Sequence, residues 1–198
     1  MKKPNLAKLV DSMMASSPNP VSIISEKSGQ EPKGSPKTTA PNMADKLEFY
    51  RQKVSGTNID TRTLLSTDYF NAFNSIVMVL DMLPDAPELL EEIEQWHFVD
   101  YVEHFKTSDL DFAALAIEAY PFAPEELRLA FEKKVSAIRQ ILEELPAILR
   151  PLIEHGEKGV FAEKTKTIAA QLRTLMEEGN GIVHGSSAAV QADVDKLF

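Results

Sequence analysis

The sequence predicts an all-α protein, a compact bundle of about six or seven helices with a disordered N-terminal tail and a short C-terminal peptide helix. Between residues 43 and 178 apolar residues recur at steps of three and four, with no sustained period-two alternation to support a sheet. Pro and Gly punctuate the same stretch at intervals that suit helix ends, and Leu, Ala and Glu dominate it. The expected organisation is a disordered tail over 1–42, a helical bundle over 43–178, a flexible linker over 179–187 and an amphipathic docking peptide over 188–198.

Residues 1–42 are rich in Ser, Pro, Lys and Thr, with Pro4, Pro18, Pro20, Pro32, Pro36 and Pro41 spread among polar residues. Such a segment buries too little apolar surface to offset its ordering entropy, which predicts disorder. The apolar island Val21-Ser22-Ile23-Ile24 reads as a blip within a linker. The first bundle helix is expected from about Asp45 to Val54, ending before Ser55-Gly56. A second starts at the Ser66-Thr67-Asp68 cap signal and runs to Leu83. Its Phe70, Phe73, Ile76, Val77, Val79, Leu80 and Leu83 surround most of its surface, which assigns it a central position.

Pro84 stops that helix, and Asp85-Ala86-Pro87-Glu88 opens the next with an acidic capping box and Pro near the first turn. This stretch is expected to continue, with or without a bend, to Phe105. Ser108 then caps a helix to about Tyr120, which Pro121 ends. Pro124-Glu125-Glu126 begins the longest helix, whose Leu127, Phe131, Val135, Ile138, Leu142 and Leu145 make a core stripe. Pro146 is expected to begin a separate short segment closed by Gly156 and bent at Pro151. The last bundle helix, about Phe161 to Glu178, aligns Phe161, Ile168, Leu172 and Leu175 and stops at Gly179. Gly179-Asn180-Gly181 then reads as a C-cap and hinge.

Composition narrows function by exclusion. A chain of 198 residues fits one domain with tails. It has no Cys, so neither disulfides nor thiolate metal sites are available, and a reducing cytoplasm is the expected home. No apolar run reaches the length of a membrane span, and Pro4, Lys8 and Asp11 interrupt any signal-peptide core. Six lysines face three acids within residues 1–42, a balance of +3, so a chain of net charge -9 carries -12 on the remainder. A body that acidic repels phosphate backbones, so no nucleic-acid partner is expected.

Few constellations point to chemistry. On one continuous helix His97, Asp100 and His104 would fall within about 60° of arc, a spacing that can offer ligands to a metal. Phe98, Val102 and Phe105 occupy the other side, so a solvated face is the favoured reading, and no metal or cofactor is expected. Asn71, Asn74 and Asp81 form a polar wedge that reads as an exposed edge. Three acid–amide pairs, Glu48 with Gln52, Glu91 with Gln95, and Glu177 with Asn180, have the spacing that receiver phosphatases use to orient a water. Chance supplies such pairs in so acidic a chain, and no catalytic residue is assigned.

The C-terminus is more specific. If helical, it places Val190, Val194, Leu197 and Phe198 at i, i+4, i+7 and i+8 on one stripe, with Asp193, Asp195 and Lys196 facing away. A helix of about ten residues is marginal alone, so such a segment folds chiefly when a groove accepts its stripe. The run Gln191-x-Asp193-Val194-Asp195-x-Leu197-Phe198 resembles the peptides by which the flagellar switch protein FliM and the chemotaxis phosphatase CheZ grip the response regulator CheY. Val190 stands where the switch-protein peptide has a Ser cap, and Phe198 replaces a terminal aliphatic residue. The phosphatase family's Asp-Leu-Thr-Gly-Gln stretch has no counterpart. The resemblance implies a CheY-like receiver domain as partner, with Val194, Leu197 and Phe198 as anchors and Asp193 and Asp195 facing basic groups. The expected function is an interaction protein of chemotaxis-type or two-component signalling. The rivals are a tethered receiver aspartyl-phosphate phosphatase and a helical partner-binding protein unrelated to phosphorelays.

Overall fold

A computed structural model describes residues 42–186. The expected disorder of residues 1–41 and the C-terminal peptide from Ser187 onward lie outside the described residues. Seven α-helices lie within them: α1 (Met43–Lys53), α2 (Asn71–Met82), α3 (Leu90–Gln95), α4 (Tyr101–Lys106), α5 (Ala113–Ala119), α6 (Glu125–Glu154) and α7 (Lys158–Val183). No strand occurs among the described residues, and the all-α expectation holds. None of these helices is long and apolar enough to cross a membrane.

The antiparallel pair α6–α7 is the backbone of the bundle. Ala130, Phe131, Val135, Ile138, Leu142, Leu145 and Leu149 are buried along α6, and Phe161, Ile168, Ala169, Leu172, Met176, Ile182 and Val183 along α7. The hairpin between them turns at Gly156, whose φ of 69° is left-handed and favours a residue without Cβ. Across the pair, the buried ammonium of Lys134 meets Glu178 at 2.8 Å.

Two expectations fail in this hairpin for one reason. Pro146 does not begin a new segment, because α6 continues through it and through Pro151 to Glu154. A proline inside a helix costs about 3 kcal/mol. Leu145 and Leu149, wholly buried on either side of Pro146, each recover about 1.5–3 kcal/mol by leaving water. Likewise α7 does not stop at Gly179. It runs through Gly179-Asn180-Gly181 to Val183, so the predicted linker 179–187 is helical over its first five positions. Gly179 is there for proximity: a Cβ at this position would lie 2.9 Å from Phe70 Cε1 and closer still to Cζ.

Of the shorter elements, α2 packs on α7 and α3 on α6. Asn42 caps α1 through a capping box, accepting from the Asp45 N–H at 2.9 Å. The Tyr50 ring of α1 stacks on Phe122 just after α5, at 4.8 Å. Residues 55–66 form an irregular loop in which Leu64 adopts φ 58°, a left-handed conformation costly for a side-chain-bearing residue. Leu64 and Leu65 are completely buried, which offsets that cost. A single 3-10 turn, Thr67–Phe70, leads into α2 with Ser66 capping it as predicted. α2 is less central than expected: Phe73, Ile76, Val77 and Leu80 are buried, whereas Asn71, Asn74, Ser75, Met78, Asp81 and Met82 are exposed.

The region from Pro84 to Ala123 departs furthest from expectation. The acidic capping box is absent: a 3-10 turn over Pro87–Leu89 follows Ala86, which donates no side-chain cap. α3 ends at Gln95, and the chain is extended at Trp96 (φ -71°, ψ 138°). The helix does not reach Phe105 because Trp96, His97, Phe98 and Val99 are poor helix formers placed directly before a strong N-cap. Asp100 accepts from the Glu103 N–H at 2.8 Å and starts α4 afresh. Ser108 accepts from the Leu110 N–H at 3.2 Å instead of capping a helix, and α5 begins only at Ala113.

Candidate functional site

The predicted partner-binding residues Val190, Gln191, Asp193, Val194, Asp195, Leu197 and Phe198 all lie beyond Ser186, outside the described residues. The stem from which they depart is well defined. Thr63 Oγ1 donates to the Val183 carbonyl at 2.7 Å, and Arg62 Nη2 donates to the His184 carbonyl at 2.7 Å. The backbone N–H of Ser186 turns back to the Gly181 carbonyl at 2.9 Å. These bonds satisfy carbonyls that a helix end otherwise leaves open.

Asp60 organises the loop that makes this clasp. Its Oδ1 accepts from the backbone N–H groups of Arg62 at 2.8 Å and Thr63 at 3.3 Å, while Oδ2 accepts from Arg62 Nη2 at 3.2 Å. Burial pushes the Asp60 carboxyl upward, and those hydrogen bonds outweigh it, so the group sits below the ordinary carboxylate value. The imidazole Nδ1 of His184 approaches the same carboxylate at 3.7 Å.

The other sequence candidates separate. His97 lies in the extended segment and His104 in α4, with Asp100 used as a cap between them, so the three share no helical face. His104 is half-buried and meets the rings of Tyr69 and Phe105 edge-on at 5.4 and 5.0 Å, which corrects its placement on a solvated face. Burial pushes its imidazole below the ordinary value, with the Asp68 carboxylate partly opposing. Asn71 and Asn74 form an exposed ladder onto Asp68, and Asp81 pairs with Arg173 of α7. Of the acid–amide pairs, Gln52 donates to Glu48 on the surface at 3.1 Å, and Glu91 and Gln95 are both exposed on α3. Asn180 is half-buried, with its Oδ1 shielded from solvent.

A site that the sequence did not announce lies between α6 and the segment around Asp100. It is a cleft of about 340 Å³. Tyr69, Tyr101, Phe131 and Val135 form its floor, and Phe98, Val102 and Tyr120 its walls. Tyr101 and Tyr120 stack at 4.4 Å with 17° between their planes, and Phe131 meets Tyr101 edge-on at 5.7 Å. Two buried phenols are anchored to the backbone: Tyr69 donates to the Val99 carbonyl at 2.8 Å, and Tyr101 accepts from the Ser66 N–H at 3.0 Å. Burial holds both above their ordinary value of 10.0, so the floor is uncharged near neutrality.

The rim of this cleft carries the charge. Glu132 Oε1 accepts from Tyr120 at 2.8 Å and from Arg128 at 2.7 Å. Burial and that bond to Glu132 together raise the Tyr120 phenol. Arg139 lies over the Phe98 ring at 4.9 Å and donates to Glu143 at 2.7 Å. Asp100 and Ser136 complete the rim, both exposed. Periodicity could not separate these rings from ordinary core residues, because they converge from four places in the sequence.

Compared with models of known protein families, with curated proteins and with solved structures, the chain finds no match in any of the three.

Proposed function

We propose that this chain is a cytoplasmic interaction protein of bacterial two-component or chemotaxis-type signalling, whose helical body presents its last residues to a CheY-like receiver domain. The observation that carries the reading is the agreement of Gln191, Asp193, Val194, Asp195, Leu197 and Phe198 with receiver-binding peptides. In this reading Val190, Val194, Leu197 and Phe198 fill an apolar groove, and Asp193 and Asp195 face basic groups at its edge.

The stem supports the reading and sharpens it. Only Ser187, Ala188 and Ala189 separate Ser186 from Val190, a reach of at most about 14 Å even when fully extended. That is tighter than a nine-residue leash from Gly179 would allow, because α7 takes up the first five of those positions. A bound receiver is therefore held beside the Asp60–Thr63 loop.

The test uses the full chain and a peptide of residues 186–198 against purified CheY-like receivers, with and without a phosphoryl mimic. The expected result is saturable binding by both, lost at least tenfold when Leu197 and Phe198 are changed to Ala, with the melting temperature unchanged. Absence of binding to every receiver, together with a double variant that melts several degrees lower, would make the tail a structural element and overturn the proposal.

A further inference from the structure

We propose that the cleft beside Tyr101 and Tyr120 is a binding site for a small organic monocation of the arylalkylammonium class, one aromatic ring on a short chain ending in an amine. The inference is independent of the C-terminal peptide. Its volume of about 340 Å³ falls at the lower end of small-ligand sites, which run from about 300 Å³ upward, and accommodates a single ring with its substituent.

The walls select the body of the guest. Phe98, Tyr101, Tyr120 and Phe131 line the cleft with aromatic surface against which another ring packs, and such surface attracts a cation, although Arg139 already lies over the Phe98 ring. The rim selects its charge. Glu132 is matched by Arg128 at 2.7 Å and Arg139 by Glu143 at 2.7 Å, so these four cancel. Asp100 is the remaining carboxylate, and it forms an ion pair with no Lys, Arg or His among the described residues. One of its oxygens caps α4 through the Glu103 N–H, an interaction that leaves the negative charge in place. An aromatic cleft with one uncompensated carboxylate at its mouth favours a monocation and disfavours an anion of the same shape.

The experiment is calorimetric titration of the full chain with 2-phenylethylammonium, 2-phenylethanol and phenylacetate under identical buffer and salt. Fluorescence of Trp96, whose indole lies 6.4 Å from the Phe98 ring, gives a second readout. The amine is expected to bind at one site, at least tenfold tighter than phenylacetate. Asp100→Asn removes the charge and keeps the cap, since Asn caps helices as well as Asp. It should leave melting unchanged and reduce amine affinity about tenfold, to the level of the alcohol. Ser136→Trp, at an exposed rim position, fills the mouth and should abolish binding of all three. Failure of the amine to saturate, phenylacetate binding as tightly as the amine, or full amine affinity retained in either variant would each overturn the proposal. Should Asp100→Asn lower the melting temperature, Ser136→Trp and the comparison of the three compounds decide the matter.

Discussion

The α6–α7 hairpin and the run of short helices α3–α5 make opposite uses of the same residue types. In the hairpin, two prolines and two consecutive-looking glycine breaks sit inside continuous helices of 30 and 26 residues. In the stretch from Pro87 to Ala119 no helix exceeds seven residues, although neither break between these helices, 96–100 and 107–112, contains a Pro. The difference lies in how much each turn buries. Where a long apolar stripe meets a partner of equal length, packing overrides propensity; where stripes are short, a single good cap decides where a helix starts.

The comparison breaks most severely at the centre of the hairpin. Leu145→Ala removes a fully buried side chain from α6, and a loss of about 2–5 kcal/mol is expected in denaturant unfolding. A loss well below that range would mean that Pro146 already loosens the stripe around it.

Gly179→Ala tests the same hairpin with a sign that propensity alone would get wrong. In an open helix position Gly→Ala stabilises by about 0.5–1 kcal/mol, but here the added Cβ meets the Phe70 ring. Overpacking of this kind costs about 1–3 kcal/mol, so a net loss is expected. Gly159→Ala, near the start of α7 with open space around its Cβ, should instead be neutral or stabilising. Equal melting shifts for the two variants would refute the account of Gly179.

Among the short helices the expected effects are smaller and belong to caps. Asp100→Ala should cost about 1 kcal/mol, the typical price of a lost N-cap, and Asp100→Asn almost nothing. If the two variants melt alike, the break at Trp96–Val99 is held by packing and not by the cap.

The smallest effect is that of pH at His104. Its imidazole is held below the ordinary value of 6.5 by burial, so the folded protein binds this proton more weakly than the unfolded chain does. The contribution is therefore complete above that value and is lost as pH falls through the folded-state value. Solvent screening of a half-exposed ring keeps it modest. His104→Gln should flatten that part of the stability–pH curve; an unchanged slope would assign the acid sensitivity to carboxylates.

What could be read from the sequence was what depends on local pattern. The all-α class, the span of α1, the Ser66 cap and the start of α6 after Pro124 each follow from residues adjacent in the chain. Pro146 and Gly179 misled because their meaning is set by what lies opposite them, and Phe70 is more than a hundred residues from Gly179. The break after Gln95 had a local signal, the bulky run Trp96–Val99 ahead of Asp100, which was outweighed by the apolar periodicity around it. The cleft was illegible for a stricter reason. Tyr69, Phe98, Tyr120 and Phe131 carry the spacing of core residues, and no periodicity distinguishes a ring that lines an opening from one that closes it.

The clasp between the 60s loop and the end of α7 also has a kinetic meaning. Its Thr63–Val183 hydrogen bond spans 120 positions of chain, whereas the α6–α7 hairpin forms from contacts made close to a tight turn. Closing so long a loop carries an entropic penalty that only prior structure can repay, so the hairpin should assemble early and the clasp late. In hydrogen exchange the last turn of α7 is then expected to open before the rest of that helix, and mutations in the clasp should accelerate unfolding while leaving the folding rate nearly untouched.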